Sequence, residues 1–183
     1  MKTDKILIDN REAGYVDAVR EARRAAVYRN LKKEEVLQLQ LLTEEMLSMI
    51  HSVTGEVQAT FWIENEGKDY ELHLTTNTVL DQNKRAELLS SATSRQNEAA
   101  KGFLGWLRDK FEQGMAAEPQ HPENDIPEDV LFDMANHEIA SNEWDGYERS
   151  TLRRLADNIK ISIIGHQVKM IVSKSFARKT KED

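Results

Sequence analysis

Two adjacent carboxylates stand inside an apolar helical pattern, in "LLTEEMLSMI" at residues 41–50. On a helical wheel Glu45 lies three residues after Leu42 and four before Met49, so it borders the apolar stripe, while Glu44 points away from it. A carboxylate at the rim of a buried surface is a candidate for proton transfer, because burial and neighbours tune its proton affinity. The same spacing also describes an ordinary boundary residue reaching out to water. Other chemistries find less support. The chain has no cysteine, which removes disulfides, thiolate nucleophiles and zinc–thiolate centres together. Its histidines, at 51, 73, 121, 137 and 166, show no pair at metal-ligand spacing with a third ligand nearby, so no metal site is assigned. His73, in "YELHLT", reads as an outward strand residue. The serines of "LLSSATSRQNEAAKG" lack the Gly-x-Ser-x-Gly or Ser-x-x-Lys context that would activate one, and the tract reads as a flexible connection.

The elements that would position Glu45 follow from periodicity. "KILI" at 5–8 is a short strand. "GYVDAVREARRAAVYRN" is a first helix, with Val16, Val19, Ala22, Ala26 and Val27 near helical spacing. The second helix, from Lys33 to Val53, is the strongest: Leu39, Leu42, Met46, Met49, Ile50 and Val53 recur every three or four residues, and Gly55 stops it. "EVQATFWIE" and "DYELHLT" then alternate apolar and polar around "NEGK", the pattern of a half-buried antiparallel hairpin. Residues 82–113 return to helix in two pieces, broken at "SSATSRQ", the second with Phe103, Leu104, Leu107 and Phe111 on one face. All three prolines fall in "GMAAEPQHPENDIPED", and a helix starts near Asp125 and Pro127. After "YERSTLRRLAD", a last hairpin alternates Ile159, Ile161, Ile163 with Val168, Met170, Val172 around Gly165-His166. Helices interleaved with one-faced hairpins call for an α+β fold. The expected form is a two-layer α/β sandwich with helices on one face of a mixed, mostly antiparallel sheet.

Length and charge set the bounds. A chain of 183 residues suits a single domain, 1–183, with 114–146 as an acidic, proline-containing connection and peripheral helix. Hydrophobic residues at 39% and charged residues at 31% belong to a solvated globular protein. The net charge of −7 is uneven: residues 112–148 hold eleven acids and no lysine or arginine, so the remainder is at +4. Arg20, Arg23, Arg24, Arg29, Lys32 and Lys33 form a basic set suited to an acidic partner, without the interleaved aromatics of a nucleic-acid surface. The start, "MKTDKILIDNREAG", has three consecutive apolar residues, too few for a secretory leader, and no run reaches membrane-spanning length. A cytoplasmic protein is expected, with a protein partner or self-association, no membrane, and nucleic acid disfavoured.

The order of these elements, together with "LLTEEML" and the closing "LADNIKI", resembles the GHKL (histidine-kinase-like) ATPase fold, in particular its anti-sigma-factor serine-kinase branch. The resemblance spans roughly residues 5–175. It implies that Glu45 is the catalytic base that activates water and that Leu155, Asp157 and Ile159 match the family's Leu-x-Asp-x-Val phrase. It also implies an adenine-holding acid after the "YELHLT" strand, where this chain offers Asp81 in "TNTVLDQ". A glycine-rich phosphate loop is implied as well, supplied either by Lys101, Gly102 and Gly105 or near Gly146. The cofactor so implied is ATP or ADP with magnesium. Two departures stand out. Met49 occupies the position, four residues after Glu45, where the family carries a magnesium-binding asparagine, and Ser48 follows Glu44 at that interval. No glycine lies between Gly67 and Gly102. The expectation is therefore a degenerate GHKL-like, ATP-binding-type domain acting as a regulatory or partner-binding protein with weakened nucleotide binding. The alternatives are an active anti-sigma-type serine kinase or ATPase, and an unrelated α+β interaction scaffold.

Overall fold

The structure is a computed structural model that describes residues 1–9, 12–55, 58–100 and 151–177. The chain opens with strand β1 (Ile6–Ile8), then helices α1 (Glu12–Tyr28) and α2 (Lys33–Thr54), and the hairpin β2 (Ala59–Glu66) and β3 (Asp69–Asn77). Helix α3 (Gln82–Ser91) and a single 3-10 turn (Glu98–Ala100) follow, and the hairpin β4 (Asn158–Ile164) and β5 (Gln167–Ser175) comes last. Residues 151–155 are helical. The segment 114–146, the apolar face of 103–111 and the helix start at Asp125 lie outside the described residues.

The five strands form one sheet in the order β1-β2-β3-β5-β4, every neighbouring pair antiparallel. The two-layer sandwich is as the sequence implies, and the sheet is antiparallel throughout the described residues rather than mixed. Two-residue turns set both hairpins. In the first, Gly67 takes φ +57°, which a side chain would oppose, and the turn fixes every cross-strand pair from Glu66–Asp69 down to Ala59–Thr76. Period-two alternation then sends Phe61, Ile63, Leu72, Leu74, Ile161, Met170 and Val172 to one face, where all are buried.

The helices cover that face. Helix α2 buries Leu39, Leu42, Met46, Met49, Ile50 and Val53, the stripe read from its periodicity, and Val36 and Leu47 besides. Each large apolar side chain so buried stabilises the fold by roughly 1.5–3 kcal/mol before the entropy of ordering it is charged. Glu35 caps its first turn by accepting the Lys32 backbone N–H at 2.7 Å. Helix α1 buries Ala22 and Ala26 as expected but departs from expectation at its valines. Gly14, Ala18, Ala22, Ala25 and Ala26 face inward, while Val16 and Val27 are exposed. The reason is distance: a Cβ on Gly14 would come within 2.6 Å of the Leu7 carbonyl oxygen, so α1 lies against β1 too closely for branched side chains. Tyr70 fixes the other end of α1, its hydroxyl donating to the Ala25 carbonyl at 3.3 Å.

The tract read as a flexible connection has a structural task. Thr93 N–H donates to the Ile159 carbonyl at 2.9 Å, and Thr93 Oγ1 accepts from Ile159 N–H at 2.8 Å. Four residues on, Asn97 Nδ2 donates to the Ile163 carbonyl at 2.9 Å and its Oδ1 accepts from Ile163 N–H at 2.8 Å. Asn97 is buried. The two residues substitute for a missing neighbour strand along β4, the edge of the sheet.

Candidate functional site

Helix α2 presents the two glutamates as the wheel implies: Glu45 is half-buried with its Oε2 shielded from solvent, and Glu44 is exposed. The turn that follows Glu45 faces the core. Met49 is 1% exposed, and the neighbouring Thr43 hydroxyl is spent on the Leu39 carbonyl at 2.9 Å. Ser48 is half-buried. Glu45 thus looks out from the edge of a surface committed to packing, with a thioether where a second hard-cation ligand would be needed. Those donors do not fit a magnesium ion, which demands oxygen ligands in near-octahedral array. Among the described residues, no group of three or more histidine, aspartate or glutamate side chains could hold a metal ion.

Asp81 stands at the start of α3, the helix that adjoins α2. Its Oδ1 accepts the Lys84 backbone N–H at 2.8 Å, so it caps the helix. Lys101, Gly102, Gly105 and Gly146 lie outside the described residues. In the closing phrase, Leu155 packs against the core, Ile159 is within it, and Asp157 is exposed. Asp157 accepts the Ser175 N–H at 2.7 Å and the Lys174 ammonium at 3.2 Å, and thereby fastens the start of β4 to the end of β5. The aspartate of that phrase has a structural use here.

One cluster escaped the sequence reading. On the sheet face turned away from the helices, Trp62 and His73 stand directly opposite each other across β2 and β3, with ring centroids 4.9 Å apart and planes within 5° of parallel. Trp62 is 9% exposed and His73 5%, although both point outward from the sandwich. Lys2 and Lys5 lie over the indole at 5.3 and 5.2 Å. The next cross-strand pair is Glu64 with Glu71. Glu64 accepts from Trp62 Nε1 at 2.9 Å and pairs with Lys2 at 2.9 Å, and these two contacts bring its carboxyl down to about 2. Burial pushes the His73 imidazole below its ordinary value, against the pull of Glu64 and Glu71. The signal for this cluster was available: a two-residue turn at Gly67-Lys68 dictates that 62 faces 73 and 64 faces 71.

Among the described residues no helix is long and apolar enough to cross a membrane. No protein-family model matches the chain, and no curated protein matches it in sequence.

Proposed function

We propose that this chain is a GHKL-like domain acting as a regulatory, partner-binding protein, in which nucleotide binding is weakened and phosphoryl transfer is lost. The order of elements and the two hairpins joined through β3 and β5 support the resemblance. The loss of chemistry rests on one observation. Met49, four residues after Glu45, is buried in the core, so the helix that carries the candidate base offers a thioether at the position where the family carries its magnesium-binding asparagine. Partner binding is supported by the outer side of the helix layer, where Val27 (56% exposed), Tyr28 (70%), Leu37 and Leu41 are uncovered near the exposed Arg20, Arg23 and Arg24. Apolar groups interleaved with guanidinium groups suit a protein surface that carries acids.

Phosphate release and thermal unfolding test the reading together. Millimolar ATP or ADP, with or without magnesium, should leave the melting temperature unchanged. A ligand at about 100 times its dissociation constant would add roughly 2.7 kcal/mol. Wild type, Glu45→Gln and Glu44→Gln should release no phosphate above the blank, and Glu45→Gln should change stability by no more than about 0.5 kcal/mol. Turnover in the wild type that disappears in Glu45→Gln alone would overturn this reading in favour of an active serine kinase or ATPase with Glu45 as base.

A further inference from the structure

The open face of the sheet holds a shielded imidazole beside two half-exposed carboxylates. His73 Nδ1 and Nε2 are both shielded from solvent and neither has a hydrogen-bond partner. What holds the ring is its stack on Trp62. A buried polar group left unpaired costs about 1–3 kcal/mol, so the neutral ring is kept in place at an expense that protonation could relieve. Nε2 lies 3.3 Å from a Glu71 carboxylate oxygen and 3.9 Å from one of Glu64. Those two carboxylates are directly opposed across the strands, an arrangement that like charges disfavour and that a cation between them would stabilise. Against the proton stand Lys169 on β5 and Lys2, from the segment leading into β1. Lys2 is the strategic one, since it is already bonded to Glu64.

We propose that His73 is a proton-binding site that controls how the first residues of the chain are held. On taking a proton from solvent, the imidazolium draws Glu71 and Glu64 to Nε2, and Glu64 releases Lys2. Residues 1–3 lose one of the ties that keep them along β2. Four hydrogen bonds remain: Thr3 N–H to the Ile63 carbonyl at 2.9 Å, Asn65 N–H to the Met1 carbonyl at 2.8 Å, Ile63 N–H to the Thr3 hydroxyl at 2.9 Å and the Met1 ammonium to the Asn65 carbonyl at 2.6 Å. The segment then opens more often below the titration midpoint than above it.

The stacked indole reports the event, because a protonated imidazole accepts charge from an excited indole and quenches it. The chain has three tryptophans, so a Trp106→Phe/Trp144→Phe variant leaves Trp62 as the sole emitter. Its emission should fall on acidification with a one-proton midpoint below about 6.5, the ordinary histidine value. The fall should vanish when His73→Gln is added. Emission flat between pH 8 and 5, or the same fall with His73→Gln, would overturn the proposal. Should the tryptophan variants not fold, the wild-type histidine ring resonances serve instead. The His73 resonances should titrate with a midpoint below about 6.5, and the amides of Thr3 and Asn65 should lose protection through that same midpoint while those of Leu72 and Leu74 keep theirs. Protection of Thr3 and Asn65 that does not change with the His73 titration would sink the gating step.

Discussion

Glu64 shows how one side chain can be given work by its strand position. It sits at the end of the Trp62–His73 stack, accepts from the indole, and meets Lys2. With its carboxyl held near 2 in the folded chain, its contribution to stability is complete above about 4.5 and is lost as pH falls toward 2. The side chain is 41% exposed, so the effect stays within the ~0–1 kcal/mol of surface ion pairs. Lys2→Met should raise the carboxyl toward its ordinary value and flatten the stability curve between those pH limits, as followed by urea unfolding at a series of pH values. A curve identical to wild type would show that the ion pair contributes nothing. At this scale the sequence was legible where helical geometry applied. Glu45 and Glu44 were told apart because 100° per residue separates them on a wheel. His73 was placed on the correct face and misjudged in exposure, since burial on an open face depends on which side chain the neighbouring strand sets against it.

Among the elements, α2 and the two hairpins were readable for the same reason: large apolar residues repeated at a period that only one kind of element satisfies. Helix α1 was recognised and its inward Ala22 and Ala26 with it, but Val16 and Val27 were set on the wrong side. Valine outweighs alanine in any measure of hydrophobicity, whereas close approach of Gly14 to the Leu7 carbonyl selects for the smallest side chains. The stretch around Thr93 and Asn97 was opaque because its bonds reach residues 66 positions away. Asn97→Ala removes two of those bonds and leaves the Ile163 N–H and carbonyl unpaired at a buried edge. The expected cost is about 2–4 kcal/mol of unfolding free energy by urea denaturation, with Asn97→Asp intermediate because it keeps only the acceptor. A change below about 0.5 kcal/mol would mean that water replaces the amide and that the edge is not sealed there. Of the candidate site, the acidic helix and the closing aspartate phrase could be located from pattern. What each carboxylate bonds to could not, since Asp81 and Asp157 find their partners only once α3 and β5 are in place.

The whole molecule is closed by its later hairpin. β5 lies inside the sheet, bonded to β3 along its full length on one side and to β4 on the other, and Ile159, Ile161, Ile163, Val168, Met170 and Val172 are all in the core. A chain cut after residue 157 therefore lacks one edge strand and the interior strand beside it, and leaves the central strand β3 unpaired on one side. Circular dichroism of that fragment should show no cooperative thermal transition, and a sigmoidal melt would indicate that β1, β2 and β3 with α1 and α2 fold by themselves. The same geometry bears on biosynthesis. When β3 leaves a ribosome, the strand that will cover its free edge, which begins ninety positions later, is still to be made, a delay on the order of ten seconds at ordinary elongation rates. Throughout that interval the nascent chain displays an unpaired strand beside a half-covered apolar surface, a template for pairing with neighbouring polysomes. Holdase chaperones and slow codons along the intervening stretch would then affect yield far more than any substitution that merely trims the stability of the finished fold.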